Sequence, residues 1–293
     1  MTRGSHPPVQ PAPAFASIRH LPFFILFFLC YAAAITLLLL QIPPTWLWTE
    51  GLLIVLAAIT SVASLARFLS LQNALAAAGT ITLLSGVIVI VGVRFGLPFG
   101  PFHYLGNTGP ELFETLPVLI PLLWVVIVLN CRGVAHLIMR PWRQNAHYGF
   151  WVIGLTALLA VIVDLGLEPY AVKVRSYWIW RTLDGIPNWY SAPLVSFLGW
   201  FVAVLAVLTF TLPWLINKKP ARQPVDVYPL IVWLLLNLYF VAGNAAHQLW
   251  SAVAAGVIGS VVAAVPAWRG ARHVTSSPPV DAEMRRRRAG HGA

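Results

Sequence analysis

Apolar runs recur along most of this chain, each close to the roughly 20 residues a helix needs to cross the hydrocarbon core of a bilayer. The first extends from Leu21 to Ile42 and stops at Pro43-Pro44. Others cover Glu50 to Leu69, Asn73 to Val93, Pro117 to Met139, Tyr148 to Glu168 and Pro193 to Ile216. Two more, Tyr228 to Ala246 and His247 to Trp268, follow one another almost without a loop and read either as two spans or as a broken helix plus one span. The pattern predicts an all-α, polytopic transmembrane bundle of about eight spans. Pro169 is expected to stop the fifth of them. Two connecting segments, Arg94 to Leu116 and Tyr170 to Ala192, are rich in glycine, proline and aromatic residues and are expected to lie at the membrane surface. Loops this long with little polar sequence are uncommon and often carry function. The membrane domain is thus residues 21–268. It sits between a Pro-, Ala- and Ser-rich segment, 1–20, expected to be disordered, and a basic, low-complexity tail, 269–293.

Composition strengthens this picture. Hydrophobic residues make up 59% of the chain and charged residues 10%, against about 25% charged in a soluble domain. Mean hydropathy is +0.78. Such a chain cannot cover its apolar surface with its own polar groups, so lipid must do it. The net charge of +10 would raise nucleic acid as a partner for a soluble protein. Here the basic residues flank apolar runs, which points to lipid headgroups and topology instead, and no nucleic-acid partner is expected. Cys30 and Cys131 lie in apolar stretches and give neither a metal spacing nor a disulfide framework. No cleavable signal peptide is apparent: the first apolar run is too long for one and no small-residue cleavage site follows it.

Charge also predicts orientation. The N-terminus, Arg67, the Arg132/Arg140/Arg143 region, the Lys218/Lys219/Arg222 loop and the C-terminal tail hold 15 of the 19 Lys and Arg residues. Alternate loops hold only Arg94, Lys173, Arg175 and Arg181. The positive-inside rule places the first set, and both termini, in the cytoplasm. Glu50, Glu111, Glu114, Asp164, Glu168 and Asp184 then fall on the opposite side. Acids contribute little to topology, so their clustering there directs the search for chemistry to that end of the bundle.

Phe99-Gly100-Pro101-Phe102-His103-Tyr104 places an imidazole and a phenol among aromatic rings, and Gly96, Gly100 and Gly106 let the backbone turn sharply. Glu111 and Glu114 follow on the way into the fourth span. Asp164 lies near the end of the fifth span, and Glu168 four residues later shares its helical face. A carboxyl at the bilayer centre costs about 2.5–3.5 kcal/mol on insertion scales, less near the interface, and usually faces a bundle or cavity. Two carboxyls this close in a low-dielectric setting tend to share a proton. Alternatively, Asp164 caps the helix end or pairs with Arg175 or Lys173. Tyr177-Trp178-Ile179-Trp180 and Trp189-Tyr190 form a dense aromatic surface, either an interfacial anchor or a wall that stabilises a carbocation. Asn237 and Asn244, seven apart on one span, are expected to tie helices together. There is no Walker motif, no GxGxxG opening a helix and no HExxH, and no pair of Asp-rich motifs suited to magnesium and a prenyl diphosphate. No metal or cofactor is therefore expected.

The motif FGPFHY at Phe99–Tyr104, then Gly109-Pro110, then PVLIPLLW at Pro117–Trp124 resemble the membrane-embedded carotenoid biosynthesis family, which includes hydratases of acyclic carotenoid ends. Asp164 with Glu168-Pro169, Trp178 and Trp180, Pro193, and Phe197-Leu198-Gly199-Trp200 extend the resemblance over Gly96 to Phe201. Glu168 stands where the family pattern has Asp, which keeps a carboxylate, and Ser196 where it has Asn, which loses an amide. The resemblance implies cofactor-independent hydration of the terminal 1′,2′ double bond of an acyclic end, as in lycopene or γ-carotene. Protonation leaves a tertiary cation and water captures it as a tertiary alcohol. Such a site needs an acid, an aromatic wall and a held water. On this reading Asp164 is the acid and Glu168 its proton-sharing partner. His103 or Glu114 holds the water and accepts its proton. Phe102, Tyr104, Trp124, Trp178, Trp180 and Trp200 contact the substrate. The partners implied are an apolar carotenoid, water and lipid, in a multi-pass protein of the cell membrane.

Two further readings remain open at the level of sequence. A cyclase would begin with the same protonation and close a ring. A transporter or lipid-binding protein would be expected to show internal repeats and acids near the midplane, and neither is evident. The charge pattern makes one direct prediction. A topology reporter fused after Gly106 is expected on the non-cytoplasmic side, and cytoplasmic activity of that fusion would overturn the orientation.

Overall fold

A computed structural model describes residues 20–42, 48–106, 108–181, 185, 187–216 and 225–273. The N-terminal segment through residue 19, Pro43-Pro44, Asp184, the Lys218/Lys219/Arg222 loop and the tail from residue 274 lie outside the described residues.

Among the described residues eight α-helices form the bundle: α1 (Leu21–Leu39), α2 (Trp48–Leu65), α3 (Leu71–Phe95), α4 (Leu119–Met139), α5 (Tyr148–Pro169), α6 (Val195–Leu215), α7 (Tyr228–Ala246) and α8 (Trp250–Arg272). Seven are long and apolar enough to cross a membrane; the apolar part of α2, Thr49–Leu65, is shorter. The all-α polytopic architecture expected from the apolar runs is therefore present. The last two runs are separate, packed helices rather than one broken helix. Helices suit this environment because each satisfies its own backbone hydrogen bonds where lipid offers none.

Helix α4 is the axis of the bundle. It packs against α2, α3, α5, α7 and α8, and Trp124, Val125, Val126, Ile127, Val128, Cys131, Val134 and Ala135 on it are buried almost completely. By contrast, α1 and α8 expose Phe23, Ile25, Leu26, Ile258 and Val262, as helices facing lipid must. Small polar groups join neighbours inside the bundle. Asn130 donates to Ser61 Oγ at 2.7 Å, tying α4 to α2. Asn244 donates to the Gly166 carbonyl at 2.9 Å, tying α7 to α5. Asn237 instead bonds the Trp233 carbonyl of its own helix.

The structure corrects the expected end of α5. The helix continues through Pro169 and adds one π-helical turn, Tyr170–Val174. Proline has no N–H to give the carbonyl four residues earlier, which here belongs to Leu165. The Trp189 indole supplies that missing donor at 3.0 Å, so the helix tolerates the proline.

The two surface segments are also more ordered than loops. Strands β1 (Phe102–Tyr104) and β4 (Trp178–Trp180) pair antiparallel, with Phe102 opposite Trp180, His103 opposite Ile179 and Tyr104 opposite Trp178. Strands β2 (Glu111–Leu112) and β3 (Leu116–Pro117) form a second pair, and β5 (Asn188–Trp189) and β6 (Ala192–Pro193) a third. These pairs sit at the end of the bundle where α3 and α5 finish and α4 and α6 begin. Gly96, at φ 74°, ends α3 and turns the chain back. The returning segment then crosses α6 at Gly199, where a Cβ would lie 2.7 Å from the Pro98 carbonyl oxygen.

That close approach is testable. Gly199→Ala is expected to destabilise the protein by about 1–3 kcal/mol through overpacking, lowering its thermal unfolding midpoint in detergent. An unchanged midpoint would show that residues 96–101 yield without cost.

Candidate active site

Strand alternation explains the arrangement at the capped end. Successive side chains of a strand point to opposite faces. Phe102, Tyr104, Trp178 and Trp180 therefore turn inward, while His103 is exposed and Ile179 is 38% exposed on the outer face. The inward rings meet Trp124 from α4 and Trp200 from α6, which stack with centroids 4.4 Å apart and planes 4° apart. Phe99 packs on both of these rings. Phe102 lies 5.1 Å from Trp180 and Tyr104 5.9 Å from Trp178, ring to ring. The result is a pocket walled by seven aromatic rings, of about 420 Å³ with its open mouth included.

One carboxyl enters this box. Glu168, 2% exposed, lines the pocket from α5. Its Oε2 accepts hydrogen bonds from the indole N–H of Trp180 at 3.0 Å and of Trp178 at 3.2 Å. Tyr104 also lines the pocket, and burial, reinforced by the charges of Glu168 and Glu111, pushes its phenol well above the ordinary value. It is therefore a neutral O–H group at any physiological pH. Asp164 lies one helical turn behind Glu168, is fully buried and does not line the pocket; neither of its carboxyl oxygens has a hydrogen-bond partner among the described residues. The pairing with Arg175 or Lys173 considered from sequence is therefore absent. A buried polar group without a partner is costly, and unsatisfied groups of this kind concentrate where chemistry is done.

The residues singled out from sequence thus divide. Phe102, Tyr104, Trp124, Trp178, Trp180 and Trp200 all line one pocket together with Glu168. Asp164 backs it. His103 and Glu114 do not reach it: His103 is on the outer face of β1, and Glu114 sits exposed in the turn between β2 and β3 at φ 52°.

Sequence reasoning missed a second polar group. Glu50, at the start of α2, accepts hydrogen bonds from Tyr170 at 2.5 Å, from Tyr239 at 3.1 Å and from Tyr177, and pairs with Arg175. Arg175 also donates from Nε to the Tyr170 hydroxyl at 2.8 Å. Burial, then the neighbouring Glu50 charge, pushes the Tyr177 phenol up, so it remains a donor. Glu50, Tyr170, Tyr177 and Tyr239 form one wall of a larger, mostly apolar pocket of about 920 Å³ including its mouth. The two pockets share Ile120, Leu123, Leu167 and Trp178 as walls. An acid at the head of an apolar helix was the available signal for Glu50. Tyr170 and Tyr239 come from distant segments and carry no local motif.

Known proteins give a consistent frame. The family described as carotenoid biosynthesis protein matches residues 49–263, which include both pockets' polar residues from Glu50 to Tyr239. Bisanhydrobacterioruberin hydratase of Haloarcula japonica is 35% identical over 132 residues, covering 44% of this chain and 42% of that protein. The alignment thus spans less than half the length of this curated relative. No solved structure matches the chain. With the family match running from α2 through most of α8, the chain is a multi-pass membrane member of the carotenoid biosynthesis protein family.

Proposed function

We propose that this protein hydrates the terminal double bond of an acyclic carotenoid end without a cofactor, using Glu168 as the acid that faces the substrate. The observation that carries the reading is a carboxyl group held by two indole N–H donors inside an aromatic box. The family match and the hydratase named among its relatives support it.

The box is too small for a whole polyene, so it takes the branched end while the rest of the chain lies outside it. Both indole bonds fall on Oε2 of Glu168, which leaves Oε1 to carry the proton. Transfer of that proton to the CH carbon of the trisubstituted double bond leaves a tertiary cation on the dimethyl carbon. The faces of Trp124, Trp200, Trp178 and Phe102 surround this charge and stabilise it by cation–π attraction, worth about 2 kcal/mol or more per contact when desolvated. Water forms the new C–O bond and gives up a proton. That proton returns to Glu168, so the acid is regenerated. Asp164, one turn deeper and without a hydrogen-bond partner among the described residues, is a positioning residue behind it. The six aromatic contacts expected from sequence keep their roles in this scheme. The exposed positions of His103 and Glu114 leave them without one. We place the site on the non-cytoplasmic side, as the charge distribution of the chain predicts.

Expression in a bacterium that accumulates lycopene is the direct test. The expected product is heavier by one water, found by chromatography with mass spectrometry. An isomer of unchanged mass with a shorter chromophore would replace hydration by cyclisation. Glu168→Gln is expected to lower product formation by about 100-fold or more, the usual loss with a general acid. Trp178→Phe and Trp180→Phe each remove one hydrogen bond to a charged group. Each is expected to cost about tenfold, from roughly 1.5 kcal/mol per bond. Full activity of Glu168→Gln would move the acid elsewhere.

A further inference from the structure

The hydration reading needs a second reactant inside an apolar bundle, and the aromatic box has only the Tyr104 hydroxyl and the acid itself as polar groups. The larger pocket has more. Its polar wall is the Glu50 carboxylate with Tyr170, Tyr177, Tyr239 and Arg175 around it. Two further side chains line the same pocket with hydroxyls that are buried and have no hydrogen-bond partner among the described residues: Tyr31 on α1, 5% exposed, and Thr108 before β2, 8% exposed. The rings of Tyr31 and Tyr239 lie 6.1 Å apart, so Tyr31 neighbours one of the tyrosines that bind Glu50. An internal water needs a polar, roomy site with two to four partners, and this corner supplies them. The rest of the pocket is apolar and shares a wall with the box. Adjacent residues of the chain, Tyr177 and the first residue of β4, connect the two sites. Tyr177 binds Glu50 and Trp178 binds Glu168, so the carboxylates sit on either side of a single peptide link. Glu50 and Arg175 are also partly exposed, their side chains retaining 13% and 19% of their accessible surface, which gives water a polar way in from the surface.

Resting on the proposed reaction, we propose that the Glu50 wall, together with the Tyr31 and Thr108 hydroxyls, holds the water that captures the carbocation formed in the adjoining aromatic box. The step balances simply. The water oxygen gives an electron pair to the tertiary carbon and forms the C–O bond. One water proton leaves to the Glu168 carboxylate that protonated the alkene, and no oxidant or reductant takes part. Tyr31 and Thr108 act as positioning residues for the nucleophile and have no part in proton delivery.

Separating protonation from water capture tests this. Membranes carrying the full chain are equilibrated in D2O and supplied with lycopene. Two products are measured: the deuterated alcohol, and carotenoid of unchanged formula that has taken up deuterium. A cation that finds no water loses a proton and returns as labelled alkene. Tyr31→Phe and Thr108→Val remove hydroxyls that no group among the described residues binds, so both are expected to fold. Each is expected to lower the alcohol by about tenfold, the loss expected when a water's hydrogen bond is removed. The labelled alkene is expected to rise, and the double variant to be more extreme. Glu168→Gln is expected to lose both products. An unchanged ratio of alcohol to labelled alkene in the double variant, or a proportional fall of both, would overturn the water assignment and leave the acid standing. A wild-type protein that yields neither product, while lycopene enters the membranes, would instead overturn the hydration reading itself.

Discussion

The pair of indole hydrogen bonds on Glu168 is the contact on which the capped end of this bundle depends. Trp178 and Trp180 reach the carboxylate only because β4 is extended, so that alternate side chains share a face. Strand β4 is extended because it pairs with β1, a segment some 75 residues earlier in the chain. That pairing requires α3 to end at Gly96 and the chain to pass over Gly199 of α6. The helix that bears Glu168 must also run past Pro169 without breaking, which the Trp189 indole allows by capping the Leu165 carbonyl. Four tertiary contacts thus converge on one carboxyl. A carboxylate bound by two N–H donors in a dry site is electrostatically stronger than the same group in water, and expensive to leave half-satisfied.

Lipid imposes the same discipline on the rest of the fold. A spanning segment must satisfy its polar groups internally. The middle of α4 does so by carrying almost none, with Asn130 as the exception and Ser61 as its partner. Polar groups that do not serve the framework are confined to one end, where the strands begin. There Glu111 and Glu114 are exposed, while the other three described acids differ: Glu50 is ion-paired, Glu168 is held by indoles, and Asp164 is buried with no partner among the described residues. Glu50 and Glu168 are held by hydrogen bonds. Asp164 is not, and it lies directly behind the carboxyl that faces the aromatic box. An unsatisfied group in that position is the kind of local cost that structures retain at working sites rather than in their scaffolding.

Most of the helical framework was legible because a membrane span is a length of apolar chain, and length is visible in sequence. The aromatic box was legible as a set of residues but not as a shape. Phe102, Tyr104, Trp124, Trp178, Trp180 and Trp200 stood out by type and spacing, and all line one pocket. The β1–β4 register that joins them is a long-range pairing of three-residue strands, too short to show a pattern. The same register decides His103. It is flanked by two inward rings, and the period of two sends it outward. Glu114 looked close in sequence to α4, but the β2–β3 turn carries it away from the cavity. Pro169 read as a stop because the donor that rescues it, Trp189, lies 24 residues beyond the Leu165 carbonyl it caps. Glu50 was visible only as one more acid on its side, because the tyrosines that define its role come from the end of α5, β4's approach and α7.

The division into two adjoining pockets bears on how such a reaction avoids its own side products. A tertiary carbocation loses a proton readily to any base beside it, and water dissolved among the reacting groups would also quench the acid. The proposed chemistry therefore needs the cation surrounded by weak bases with strong π-faces, and water admitted from one direction only. Aromatic rings meet the first condition, since they stabilise positive charge without taking a proton. The second follows from the shared wall of Ile120, Leu123, Leu167 and Trp178. Three of these residues are aliphatic, and Trp178 directs its N–H to Glu168. The wall itself thus offers water no free hydrogen-bonding side chain. On the far side the phenols and the Glu50 carboxylate offer several. The partition turns the order of events, protonation before capture, into a matter of geometry.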